Sequence, residues 1–98
     1  MSRFGKRDVT GIIEFLEKEV DTLPRVEKVT KMKFRSKLRQ QENWLIAAVD
    51  PKADKILLKL EGRLGEIFRL FPHGFKEKLV EFLQMKISQL DRNAPEER

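Results

Sequence analysis

Residues 31–39 read Lys31-Met32-Lys33-Phe34-Arg35-Ser36-Lys37-Leu38-Arg39, with a lysine or arginine at every second position. Successive side chains of a β-strand point to opposite faces, so a strand here would place five cations on one face. In a helix, with about 100° per residue, Lys31, Arg35 and Arg39 would cluster while Lys33 and Lys37 would fall on the other side. The alternation therefore predicts a strand with one cationic face.

The sequence on the C-terminal side of this stretch predicts two further strands. Residues 44–49 form a continuous apolar run of strand length, which is typical of a strand covered on both faces. Residues 55–60 alternate between apolar and mixed positions, and residues 50–54 between the two runs carry turn-forming Asp and Pro. With a long first strand at 26–38, the pattern predicts a meander whose second and third strands form a hairpin.

Helical periodicity appears before and after these runs. Val9, Ile12, Ile13, Leu16 and Val20 follow an i, i+3, i+4 pattern, which predicts a helix at about 9–22 that ends before Pro24. Similar spacing predicts a short helix at 64–71 and a last helix at 75–90.

The order α-β-β-β-α-α predicts one α+β domain, in which a three-stranded antiparallel meander carries its helices on one face. The predicted boundaries are a basic flexible N-terminus at 1–7, the domain at 8–90 and a polar C-terminal tail at 91–98. Helices on one face would leave the cationic face of the sheet open to solvent.

The charge of the chain is concentrated rather than spread. The 98 residues carry a formal net charge of +5, and residues 25–41 hold seven basic residues and one acid.

The chain has no cysteine, which excludes disulfides and thiolate metal sites. No apolar run approaches the roughly 20 residues of a membrane-spanning helix, and the start lacks the apolar core of a secretory signal, so a cytoplasmic protein is expected.

A row of like charges repels itself, and its regular spacing suits the phosphates of a nucleic acid. The residues predicted to bind nucleic acid, DNA or RNA, are Lys28, Lys31, Lys33, Arg35, Lys37, Arg39, Lys55 and Lys59. Mainly backbone contacts are expected, and only Trp44 could stack on a base, although a tryptophan is more often part of the core.

Other interpretations of the basic stretch remain open. It could be a solvated face or a strand edge protected against aggregation, or it could dock an acidic protein partner.

Seven phenylalanines in a small chain also suggest more apolar surface than one core can bury, which predicts a homodimer.

The sequence offers little material for catalysis, so no enzymatic activity and no cofactor are predicted. The single histidine, His73, lies in a Pro-His-Gly breaker that suits a loop better than a general base. Asp50, Asp54 and Lys55 are the nearest approach to the acidic cluster of a nuclease, and they are more simply explained as turn residues.

Part of the chain also resembles a known family. The matching residues are Val26, Val29, Thr30, Lys31 and Phe34, then Asn43 and Trp44, then the run 55–60. This part, residues 26–60, resembles the first half of a small uncharacterised domain catalogued as a predicted transport protein, which also occurs appended to some modification-dependent restriction systems. The later Gly-Trp-Gly strand pair of that family is missing here. The resemblance implies at most a nucleic-acid-associated accessory domain.

Overall fold

The computed structural model describes residues 1–93 of the chain, and within them it contains six α-helices and no β-strand. The helices are α1 (Lys6–Asp21), α2 (Lys28–Arg39), α3 (Glu42–Ala47), α4 (Ala53–Leu64), α5 (Glu66–Leu70) and α6 (Phe75–Asn93). The predicted α+β fold with a three-stranded meander is therefore wrong, and the protein is a small helical domain. No helix in the described part is long and apolar enough to cross a membrane.

Helix α1 is the predicted first helix, extended at its N-terminal end. The apolar stripe that predicted it is buried, with Ile12, Leu16 and Val20 fully enclosed. Its start lies at Lys6 rather than Val9, because the Asp8 carboxylate accepts a hydrogen bond from the Gly5 N–H at 2.9 Å and closes the first turn. Helices α2, α3 and α6 all pack against α1.

The basic stretch forms helix α2 and not a strand. Residues 31–39 contain no glycine, proline or β-branched residue, and Lys, Arg, Met and Leu are strong helix formers. Only Leu38 of this helix is fully buried, with Phe34 half-buried beside it. Every charged side chain of this helix stays at least partly exposed, so packing places little constraint on the order in which the charges occur.

The predicted hairpin strands are also helices. In α4 the buried residues Ile56, Leu60 and Leu64 are spaced by four, so the apolar stripe continues past residue 60 with helical period. In α3 the apolar run at 44–49 buries only Leu45 completely, while Ile46 remains 40% exposed. The turn predicted between them does exist, but it connects two helices.

The two C-terminal helices were predicted close to where they lie. Helix α5 lies within the predicted 64–71, and α6 begins at Phe75 as predicted and continues to Asn93. Residues 94–98 of the predicted tail lie outside the described residues. The core joins α4 to α6 through Leu60, Leu79 and Leu83, which are all fully buried.

All seven phenylalanines are buried or half-buried within one chain. Five of them, Phe15, Phe68, Phe71, Phe75 and Phe82, form a continuous series of ring contacts with centroids 4.5 to 5.6 Å apart. This series connects α1, α6 and the segment around α5. The surplus of phenylalanine from which a homodimer was predicted is therefore not present on the surface.

Candidate nucleic-acid interface

Helix α2 carries six of the predicted binding residues, and half of them are engaged by α1. Lys31 Nζ donates to the backbone carbonyl of Asp21 at 2.7 Å, and Arg35 forms an ion pair with the Asp21 carboxylate. Arg39 Nε donates to Glu17 Oε2 at 3.2 Å. Positions 31, 35 and 39 share one face of a helix, and that face meets the acids of α1.

The other three predicted residues of α2, Lys28, Lys33 and Lys37, are exposed and form no ion pair within the described residues. Lys33 and Lys37 lie on a different side of the helix from the Lys31–Arg35–Arg39 row. The predicted single face of α2 cations is therefore wrong, because a helix distributes them around its axis.

Helix α4 presents the row of cations that α2 does not. Lys52, at the N-cap, and Lys55, Lys59 and Arg63 are spaced by three, four and four residues, and all four are exposed. At 1.5 Å per residue the row is about 16 Å long, with about 6 Å between successive members. Asp54 and Glu61 point away from it, since a shift of two residues turns a helix by about 200°. Lysines and arginines four residues apart repel on a helix, so folding alone does not favour this row.

Trp44 of α3 lies beside the row and is held in a fixed orientation. Its indole N–H donates to Gln41 Oε1 at 2.7 Å, and Gln41 Nε2 donates in turn to the backbone carbonyl of Lys37 at 2.9 Å. Gln41 is only 4% exposed, and among residues 1–90 it is the one polar side chain that is buried. A buried amide with both ends bonded fixes the plane of the half-buried indole.

Two members of the row lie over the indole ring. Lys59 Nζ is 4.8 Å from the ring centroid, and Arg63 Cζ is 5.7 Å from it. Both distances are within the roughly 6 Å over which a cation is attracted to the face of an aromatic ring. The row and the tryptophan therefore form one surface, which we call the Trp44 face: Trp44, Lys52, Lys55, Lys59 and Arg63.

A groove of about 220 Å³ lies within the Trp44 face, between α3 and the start of α4. It is lined by Trp44, Val49, Asp50, Pro51, Lys55 and Ile56, among others. Asp50 is the only acid in this lining.

The Asp50 carboxylate is already bonded to the N-terminal segment. Its Oδ1 accepts from the Ser2 backbone N–H at 2.9 Å and from the Ser2 hydroxyl at 3.3 Å, and its own N–H donates to the Ser2 carbonyl at 2.8 Å. The backbone N–H of Ser2 holds the pKa of Asp50 below its ordinary value. The residue sits at φ 47°, a conformation that aspartate adopts more readily than most residues. Its negative charge is thus partly offset by local donors.

Two of the four cations on the Trp44 face, Lys52 and Arg63, were missed from the sequence, whereas Lys55 and Lys59 were predicted. The signal for the missed pair was present in the 3-4-4 spacing of positions 52, 55, 59 and 63. That spacing has meaning only on a helix, and residues 55–60 were interpreted as a strand.

The residues weighed for catalysis do not come together. His73 is exposed between α5 and α6, in a surface cavity lined mainly by phenylalanine and charged residues. No group of three or more His, Asp or Glu residues within the described residues could hold a metal ion.

Comparisons with models of protein families, with curated proteins and with solved structures return no match to this chain. The resemblance of residues 26–60 to the predicted transport protein family remains a prediction.

Proposed function

We propose that this protein is a small non-enzymatic nucleic-acid-binding module, and that the Trp44 face contacts the phosphate backbone. The observation that carries the proposal is the row of four exposed cations on α4, two of which lie over an oriented tryptophan. Repulsion within such a row costs folding free energy, and a bound polyanion would remove that repulsion.

The distribution of charge in the rest of the molecule supports this choice of surface. The cations of α2 that α1 engages contribute to packing, whereas Lys55, Lys59 and Arg63 form no ion pair in the described part of the chain. The cations Lys33 and Lys37 on α2 add to the positive field around the molecule and would raise the rate of association with a polyanion.

The groove contains a single acidic residue and no histidine. That acid, Asp50, has one of its carboxylate oxygens hydrogen-bonded to Ser2. The remaining charged residues of the lining are the three lysines Lys52, Lys55 and Lys59. Binding therefore accounts for the chemistry of this surface better than catalysis does.

The proposal is tested by measuring affinity for labelled oligonucleotides by fluorescence anisotropy, from about 50 mM to about 200 mM salt. If the four cations of the row neutralise four phosphates, log affinity falls with log salt with a slope of about −3 to −4. No measurable binding at low salt would refute the proposal. Tighter binding to an acidic polypeptide than to any oligonucleotide would also refute it and would favour an acidic protein partner.

A further inference from the structure

We infer that the ligand of the Trp44 face is a single strand of nucleic acid, one base of which stacks on the indole of Trp44. The inference rests on the proposed function and adds the class of ligand to it. It is carried by the position of Trp44 at the edge of the groove, half-buried and beneath two cations.

Only nucleic acids with unpaired bases can use an aromatic platform. In a duplex, the flat faces of the bases are covered by neighbouring base pairs, so side chains meet only base edges and phosphates. Unpaired bases can be splayed out and stacked on an aromatic ring. The cations of the row would raise the affinity for a duplex, but Trp44 would not. Both the cations and Trp44 would raise the affinity for a single strand.

The size of the groove limits what can enter it. The groove of about 220 Å³ is smaller than the roughly 300 to 1,000 Å³ of pockets that enclose drug-sized ligands. It is therefore suited to one ring system and not to a whole nucleotide. The sugar and phosphates would remain outside, along the row of cations that begins at Lys52 and passes the groove at Lys55.

A base that stacks on Trp44 replaces a cation. Lys59 and Arg63 lie over the indole, so a base that stacks there must displace at least one of them. Both side chains are long and exposed, and either can swing from the ring to a flanking phosphate. The indole then loses its contact with the cation and gains a contact with the base. The cation loses its contact with the ring and gains a contact with the phosphate, so neither group is left without an attractive partner.

The ring of Trp44 is oriented before a ligand binds. The hydrogen bond from Trp44 to Gln41, and from Gln41 to the end of α2, fixes the ring without a ligand. A ring that is already oriented loses less conformational freedom on binding, which strengthens the contact.

Trp44 is the only tryptophan of the chain, so its fluorescence reports on the groove directly. The experiment titrates the full chain with unlabelled oligothymidylate of about 12 nucleotides, a length within known single-strand site sizes. A duplex of equal length is titrated in parallel. Affinity is measured for wild type, Trp44→Ala, Trp44→Phe and the matched control Leu58→Ala, which removes an exposed apolar side chain of α4.

The inference predicts that the single strand quenches Trp44 and binds at least about tenfold more tightly than the duplex. Trp44→Ala should lose about 5- to 150-fold in affinity for the single strand, the range for removal of one stacked base. Trp44→Phe should retain most of the affinity, and Leu58→Ala all of it. Because Trp44→Ala could lower stability, acrylamide quenching of wild type provides a second test, in which the single strand protects the indole and the duplex does not.

The results separate the inference from the proposed function. Equal affinity for single strand and duplex, with no change in Trp44 fluorescence and no loss in Trp44→Ala, would overturn the inference and leave phosphate binding intact. Absence of binding to either oligonucleotide would overturn both.

Discussion

The two glycines at the end of α4 should respond to alanine substitution in opposite directions. Gly62 lies inside the helix, and a Cβ built there meets no atom within 4 Å. Gly65 follows the last helical residue at φ 56° and ψ −118°, and a Cβ there also has open space. Both sites have room for a Cβ but differ in backbone conformation, so they form a matched pair.

The expected magnitudes follow from that conformation. At Gly62, alanine removes backbone freedom from the unfolded chain and should stabilise the protein by about 0.5 to 1 kcal/mol. At Gly65, a side chain is strained by the positive φ whatever the space around it, and alanine should cost about 1 to 3 kcal/mol. For a domain of this size, 1 kcal/mol shifts Tm by about 4 to 8 °C.

The assay is thermal unfolding by far-UV circular dichroism, with urea unfolding to give the free energy. Gly62→Ala should melt a few degrees above wild type, and Gly65→Ala well below it. If Gly62→Ala is destabilising, residue 62 does not lie in an open stretch of helix. If the two variants shift Tm in the same direction, α4 does not end at residue 65, and the boundary between α4 and α5 is wrong.

Three further predictions test other contacts of the fold. Gln41→Met leaves the two hydrogen-bond partners of the Gln41 side-chain amide unsatisfied and should lower the free energy of unfolding by about 1 to 3 kcal/mol, measured in urea. An unchanged urea midpoint would show that these two hydrogen bonds are not formed. Leu38→Ala removes the one fully buried side chain of α2 and should lower the free energy of unfolding by about 2 to 5 kcal/mol. The control Met32→Ala changes a side chain that is 60% exposed and should leave the free energy of unfolding within about 0.5 kcal/mol of wild type. Equal effects of the two substitutions would contradict the orientation of α2. Because the pKa of Asp50 is lower in the folded protein, its ionised form stabilises the fold above about pH 4, and that contribution is lost as the pH falls through the folded value. Wild type should therefore melt above Asp50→Asn at pH 7, and the difference in Tm should disappear as the solution is acidified through the folded pKa of Asp50. A difference that persists in acid would show that the negative charge that accepts the Ser2 hydrogen bond is not the cause.

The helices at the two ends of the chain could be predicted from the sequence because their apolar residues are numerous. In α1 the residues Val9, Ile12, Ile13, Leu16 and Val20 are all buried, and no other period accounts for them. In the segment 75–90, three residues of the apolar stripe are buried and three are half-buried against the same core: Phe75, Leu79 and Leu83, then Phe82, Ile87 and Leu90.

The middle of the chain could not be predicted in the same way, because α2 and α3 bury few side chains. With only Leu38 fully buried in α2, the charge pattern was the strongest periodicity in that segment, and surface charge is not constrained by packing. In α2 the pairing of Arg35 with Asp21 and of Arg39 with Glu17 gives a better account of the cations at positions 35 and 39. These pairs join residues 14 and 22 positions apart, so they become evident only once α1 and α2 are known to pack together.

Only part of the candidate site could be predicted from the sequence, because the helices of this region were not recognised. The row of cations predicted at residues 31–39 depended on a strand, and on a helix those residues do not share one face. The row on α4 depends on the helical period, so it was not visible while residues 55–60 were interpreted as a strand. The contact of Trp44 with Lys59 and Arg63 joins positions 15 and 19 residues apart, which sequence spacing cannot reveal.

The most direct test of the central claim compares two triple variants that change the net charge equally. Lys55→Gln, Lys59→Gln and Arg63→Gln together remove three cations of the Trp44 face. Lys18→Gln, Arg69→Gln and Lys78→Gln remove three exposed cations from α1, α5 and α6. Circular dichroism confirms that each variant is folded, and anisotropy with a labelled single strand gives affinity against salt.

If the Trp44 face binds the phosphates, the first triple variant should lose most of its affinity at low salt, and the magnitude of its salt slope should fall by about 2 to 3. The second should keep the wild-type slope and nearly all of the affinity. Equal losses in the two variants would show that only net charge matters, and an unchanged slope in the first would place the binding surface elsewhere.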